Sequence, residues 1–272
     1  MNVEVHETRS KNDAVLLAAK AVTRSVDAIV AAGGDGTLNQ VLNGMLQDHE
    51  QSNNLPVLGL IPLGSGNDFA RTVGVRSDVR SLTKLFADFS SRPVDVGKIT
   101  FDDSSELPCY FINIADVGMG PYVIKRLLNS DRIFGSLVAY YVAIIKTFFT
   151  YRPFKLHMRT PVWNWSGTIR SVAIANGKFF GNGIGIAPDA KPDDGVFSCF
   201  IAGKVSVLDF IVQNGRLRKG KRPVHSEIQY RETDSIALQA DELQPIEADG
   251  ELVGNLPVTI HVLQKRVRFL CE

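Results

Sequence analysis

The chain has 272 residues, enough for two modest domains or one large one. Its hydrophobic content of 44% and charged content of 22% are ordinary for a globular protein, and a net charge of +1 excludes a globally basic nucleic-acid binder. Cys109, Cys199 and Cys271 are widely spaced and odd in number, which argues against a disulfide framework or a zinc site and points to a reducing cytoplasm.

The first residues, Met1 to Glu7, carry no charged-then-apolar signal pattern. Val3 to Glu7 reads as a short strand ended by Thr8. Asn12 or Asp13 can cap a helix with Val15, Ala18, Ala19 and Val22 inward. An apolar run, Ala28 to Ala32, then enters Gly33-Gly34-Asp35-Gly36-Thr37, and Leu38, Val41, Leu42 and Met45 follow at helical spacing. That is strand, glycine turn, helix. Glycine backbone lets a ligand approach closely, and N–H groups at a helix start favour phosphate. Thr37 can cap the helix or touch the phosphate. Asp35 would repel phosphate unless a cation or a reacting hydroxyl lay between them, so the turn suits a nucleotide with Mg²⁺. The plainer alternative is a tight turn capped by Thr37.

Val57 to Ile61 is a continuous apolar strand, as in a parallel sheet covered on both faces. With residues 28–46 it makes a βαβ unit whose glycine turn lies at the carboxyl edge of the sheet, where ligands bind. This strand runs into a second small-residue turn, Gly64-Ser65-Gly66-Asn67-Asp68, on the same edge. Asn67 and Asp68 could be helix caps, but two such turns on successive strands point to one phosphate-handling crevice. A helix with Val79, Leu82, Leu85, Phe86 and Phe89 follows.

Near Pro93 the pattern changes to short alternating segments: 94–99, 110–114, 155–159, 166–176, 196–202, 236–239 and 258–263. They predict an antiparallel β-sandwich, a boundary near 92–95 and a cleft between the two domains. A helix at about 121–149 interrupts them. Its apolar stretch 133–145 falls short of the roughly 20 residues a membrane span needs and reads as a buried helix.

Three turns of the second domain carry chemistry. Residues 176–183 are glycine-rich and could line the cleft or form a hairpin. Pro188 to Gly195 holds Asp189, Asp193 and Asp194, as a solvated turn or a hard-cation site. Asp249 and Glu251, two apart, would share a face of an extended chain and could deprotonate a hydroxyl, or form a surface turn. Arg216 to Arg222 carries five cations in seven residues, as a solvated loop or a contact for anionic headgroups.

Taken in order, residues 33–37, 62–68, 188–195 and 249–251 resemble the motifs of the diacylglycerol kinase catalytic-domain family, which includes bacterial lipid kinases and sphingosine kinases. The first motif is shared with NAD kinases; the four together are specific. The resemblance covers essentially the whole chain. It implies an NAD-kinase/phosphofructokinase-like three-layer α/β domain over 1–93 and a β-sandwich lipid-substrate domain over 94–263. A strand at about 264–272 can return to the first domain. It implies transfer of the γ-phosphate of ATP, with Mg²⁺, to a lipid hydroxyl such as that of diacylglycerol. Gly33, Gly34, Asp35, Gly36, Thr37, Leu38 and Asn39 resemble the nucleotide loop, and Thr8 and Ser65 match further nucleotide contacts. Asp35 and Asp68 would organise the catalytic metal. The proton acceptor is drawn from Asp249 and Glu251, with Glu251 preferred. Asp194, with the carbonyls of Lys191 and Val196, matches a structural Mg²⁺ site, although Lys191 stands where some members carry an acid.

The chain departs from the family at its start. Met1-Asn2-Val3 resembles the second strand of other members, whose additional first strand ends in an Asn-Pro-x-Ser-Gly-like nucleotide loop. A wall of the ATP site is therefore expected to be missing. The resemblance implies a cytoplasmic enzyme peripheral to an anionic membrane surface, with ATP and lipid as partners and no nucleic acid. Two rivals remain: an NAD-kinase-like phosphotransferase with a soluble substrate, and an inactive nucleotide- or lipid-binding relic.

Overall fold

The computed structural model describes residues 2–10, 12–103, 105–129 and 136–271. Helix α1 (Asp13–Thr23) buries Ala14, Ala18 and Val22, one face at a spacing of four. Strand β1 (Ala28–Gly33) leads into α2 (Asp35–Leu46), and β2 (Val57–Pro62) pairs with β1 in parallel, from Ala28 opposite Val57 to Gly33 opposite Pro62. The expected βαβ unit is therefore present, with both glycine turns on one edge. Helices α3 (Asp68–Val73) and α4 (Val79–Asp88) follow, and the Asp78 carboxylate caps α4 by accepting from Ser81 N at 3.0 Å.

Then come β3 (Ser91–Phe101), β4 (Cys109–Phe111), β5 (Ile114–Gly118), α5 (Met119–Leu128) and α6 (Ser136–Thr150). They are followed by β6 (Phe154–Arg159), β7 (Asn164–Ile169), β8 (Ser171–Ala175), β9 (Phe197–Ala202) and α7 (Val207–Arg218). The chain closes with β10 (Ile228–Thr233), β11 (Ser235–Ala240), β12 (Pro245–Ala248), β13 (Glu251–Asn255) and β14 (Val258–Leu270).

Two sheets result. One runs β1-β2-β14-β11-β6-β7, with β3 beside β14 and β4 beside β3; the other runs β10-β9-β8-β5-β12-β13. The second is antiparallel throughout. Alternate residues such as Val172, Ile174, Phe197 and Ile201 face Ile99, Leu156, Ile236 and Ile260 of the first sheet, closing the sandwich core. The fold is thus an α/β unit followed by an antiparallel β-sandwich.

Strand β14 ties the two together. It lies antiparallel along β3 from Val258 opposite Phe101 to Leu270 opposite Ser91, and near its end Phe269 pairs in parallel with Leu58 of β2. The boundary expected near 92–95 falls inside β3, and the strand expected at 264–272 is the second half of β14. Between Leu263 and Val267 the register shifts, with Lys265 at φ 50°. There Asp95 of β3 accepts from Lys265 N at 2.6 Å and from Gly195 N at 2.7 Å, joining this irregularity to the acidic turn.

Several expected elements differ. Val3 to Glu7 is not a strand: Val3 and Val5 are exposed, and a strand exists only where a neighbouring strand takes its backbone hydrogen bonds. The helix expected over 121–149 is two helices, α5 and α6. Of the apolar stretch 133–145, residues 133–135 lie outside the described residues. The remainder is not fully buried: α6 hides Tyr140, Ala143, Ile144 and Thr147 but exposes Val138, Val142, Ile145 and Phe149. The segment 166–176 is split into β7 and β8 at Arg170. The basic run 216–222 is not a free loop but begins in the last turn of α7, a helix with no counterpart in the sequence reading. Ser206 and Asp209 form a capping box at its start.

Candidate active site

The two glycine turns lie against each other. Leu63 N and Gly64 N donate to Gly33 O at 2.9 and 3.1 Å, and a Cβ on Gly64 would land on the Cα of Gly34. Only glycine permits that contact. Thr37 folds back over Gly33. Ser65 is exposed beside them. Leu38 is fully buried in the core, and its amide donates to Gly34 O. Asn39 is also buried; its Nδ2 donates to Tyr110 O at 2.9 Å and to Asp249 Oδ2 at 3.1 Å. The side chains of Leu38 and Asn39 therefore face inward. Thr8 is exposed, in a segment with neither helix nor strand.

The acids divide by role. Asp35 accepts from Asp68 N and Phe69 N, both at 3.1 Å, and so holds the start of α3. Asp68 accepts from Asn182 N at 2.9 Å and Gly183 N at 2.7 Å, pinning the glycine-rich loop 181–183 of the second domain against the first. Burial, then repulsion from Asp35, pushes the Asp68 carboxyl up to about 6. Arg71 lies 3.8 Å from Asp68 and close to Gly183.

Asp249 is buried and accepts from Ile112 N, Asn113 N and Ile114 N, each at 3.0 Å, as well as from Asn39. Burial raises its carboxyl to about 6 against the pull of those donors. Four donors on two oxygens make it a clamp for the β4–β5 bend. It does not share an extended face with Glu251, because Asp249 (φ 50°) and Gly250 (φ 87°) form the turn between β12 and β13. Glu251 is half-buried and reaches the other domain: a Cβ on Gly36 would stand 3.2 Å from its Oε1. A sandwich carboxylate thus meets the first turn of α2.

Two further acids lie nearby. Asp116 of β5 is directly opposite Glu247 of β12. Both are buried, and burial raises both carboxyls well above their ordinary range; their mutual repulsion adds to that for Glu247. The Ser171 hydroxyl donates to Asp116, and Gly250 N donates to Glu247 at 2.8 Å. Sequence reasoning missed this pair, although an Asp inside the apolar run Ile114 to Val117 is itself a signal.

Asp116 lines an almost wholly apolar cavity enclosing about 780 Å³ of empty space, open solvent at its mouth included. Tyr140, Ile144 and Phe148 of α6, and Phe210 and Leu217 of α7, wall it on one side. Phe180 and Ile184, which flank the loop 181–183 held by Asp68, also line it.

The acidic turn is built around Asp95, whose carboxyl is raised by burial and further by Asp194 and Asp193. Asp194 accepts from Val196 N at 3.3 Å, and Lys191 is exposed. Among the described residues no group of three or more His, Cys, Asp or Glu is arranged to hold a metal ion. The donors at 191–196 are hard oxygens suited to a hard cation, with Asp194 the only carboxylate among the three expected ligands.

Residues 1–99 match the diacylglycerol kinase catalytic domain model, and residues 115–271 match the YegS C-terminal NAD kinase beta sandwich-like domain model. The chain belongs to this family of lipid kinases. It is 29% identical over 253 residues to a diacylglycerol kinase of Bacillus subtilis (strain 168), covering 93% of this chain and 80% of that one. It is 30% identical over 202 residues to a probable lipid kinase YegS-like of Xanthomonas campestris, covering 74% and 64%. A diacylglycerol kinase structure from Bacillus anthracis str. Sterne aligns with a TM-score of 0.71 at 22% identity over 97% of this chain and 83% of that one, a likeness of fold. In this lipid kinase the two glycine turns belong to the matched catalytic domain, and Glu251 and the cavity to the matched sandwich domain.

Proposed function

We propose that this lipid kinase transfers the γ-phosphate of ATP to the hydroxyl of a glycerolipid such as diacylglycerol, held with its acyl chain in the apolar cavity. One observation carries the reading: the cavity is lined by Phe180 and Ile184, which flank the loop that Asp68 ties to the first domain. A phosphate turn and an apolar chamber thus meet at one place. The backbone N–H groups of residues 33–37 would hold phosphate at the start of α2. Thr37 and Ser65 offer hydroxyls beside it, and Arg71 positive charge.

Glu251 takes the proton from the lipid hydroxyl as phosphate transfers, since it reaches that turn and is not enclosed as Asp249 is. Phosphoryl transfer requires positioning and charge stabilisation above all. Mg²⁺, when bound, supplies charge neutralisation on the phosphates. Asp35 and Asp68 support it by shaping the turns, since their oxygens already accept backbone donors. A structural cation would be held by Asp194 and the carbonyls of Lys191 and Val196. The test offers radiolabelled ATP with micellar diacylglycerol and, separately, with NAD. Label in phosphatidate is expected; label in NADP instead would replace this reading with the soluble-substrate rival.

A further inference from the structure

Helices α6 and α7 lie side by side over the cavity. Phe148 packs on Phe210 with ring centroids 5.7 Å apart, Tyr141 OH donates to Asn214 at 3.0 Å, and Arg218 stacks 5.2 Å above Tyr141. Helix α6 turns Tyr140, Ile144 and Phe148 to the cavity and α7 turns Asp209, Phe210, Gln213 and Leu217, and each helix carries an apolar face outward. The outward residues are Val142, Ile145 and Phe149 on α6 and Leu208, Ile211 and Val212 on α7; Phe149 is 76% exposed and Val212 75%. On α6 they recur at helical spacing, opposite Tyr140, Ala143 and Thr147. Outward apolar residues on both helices are not what a core-covering pair needs.

The charge beside it has one sign. From Val207 to Arg222 the chain carries Arg216, Arg218, Lys219, Lys221 and Arg222 against the single acid Asp209. Asp209 is occupied in capping α7 through Ser206. Arg222 pairs with Asp189 at 2.6 Å, but Arg216 and Arg218 donate to neutral oxygens, and Lys219 and Lys221 are exposed. On α6 the only charged residue is Lys146.

We propose that the outer face of α6 and α7 docks this enzyme on an anionic phospholipid bilayer, its apolar residues entering the headgroup boundary and the 216–222 cluster resting on the lipid phosphates. The apolar face suits the acyl boundary, and the cations complement the anionic headgroups. Because the same two helices wall the cavity from the other side, a lipid leaving the bilayer need only pass between them to reach it. This last step rests on the lipid-kinase reading; the docking surface does not.

The test is sedimentation with phosphatidylcholine vesicles, with and without phosphatidylglycerol. The wild type should bind the phosphatidylglycerol vesicles and be released by salt. Lys219→Gln with Lys221→Gln should weaken that binding by about thirtyfold, as two lost surface cations imply. Leu208→Ser with Val212→Ser should weaken it as well, with melting temperatures unchanged in both variants. Equal binding to neutral vesicles, salt-insensitive binding, or full binding by the charge variant would overturn the proposal. So would a dimer in sedimentation equilibrium that Leu208→Ser with Val212→Ser dissolves, since the face would then be an interface between copies. Wild-type turnover on micellar diacylglycerol is measured in parallel: its absence would count against the lipid-kinase reading and leave the docking result standing.

Discussion

At the residue scale the acids are not interchangeable. Asp249 takes four donors and is walled in, and so fixes the bend after β4. Asp249→Asn places an NH₂ group against at least one of those N–H donors and should cost about 2 kcal/mol of stability in urea unfolding. Asp116 works in the opposite sense. Its carboxyl is raised by burial, so the folded state holds a proton that the unfolded state has released, and stability falls as pH rises above the ordinary carboxylate range. Asp116→Asn removes that liability while keeping a partner for Ser171. It should raise stability at pH 8 by about 1 kcal/mol, seen as a higher melting temperature, and change it little at pH 4. A gain of equal size at both pH values would place the effect in packing. Asp68 and Asp249, raised to about 6, add the same slope between about pH 4 and pH 6. Lowered exposed acids such as Asp78 and Asp209 oppose it weakly, being screened by water.

At the element scale the decisive contact is turn on turn. A methyl at Gly64 would meet the Cα of Gly34, backbone that cannot yield without moving the start of α2. Gly64→Ala should therefore weaken ATP binding at least about tenfold by calorimetry. This level was largely legible from sequence: an apolar strand, glycines and helical spacing encode strand–turn–helix within a short stretch. The turn at Asp249 and Gly250 was not. Spacing alone treats residues 249 and 251 as neighbours on one face, whereas positive φ at both 249 and 250 sends the side chains apart. The opposition of Asp116 and Glu247, 131 positions apart in number, depends on strand register that no local pattern records. Helix α7 was missed because its burial does not follow its apolar pattern: Leu208, Ile211 and Val212 face outward while Asp209 and Gln213 line the cavity.

At the scale of the whole molecule β14 and Glu251 do related things. β14 runs through the sandwich and ends beside β2, so the two halves share one sheet rather than meeting through a linker. Glu251, from β13, crosses to the first turn of α2. A sandwich residue thus reaches the first glycine turn, while the cavity on the sandwich side is lined by residues flanking the loop that Asp68 holds. On the proposed reading the domains contribute different parts of one reaction: phosphate positioning from the first, acyl chamber and proton acceptor from the second. The most direct test is turnover of Glu251→Gln with radiolabelled ATP and micellar diacylglycerol, with ATP affinity measured on the same protein. The account predicts a fall in kcat of about 10²–10⁴-fold with ATP affinity nearly unchanged. Turnover equal to that of the wild type would contradict it.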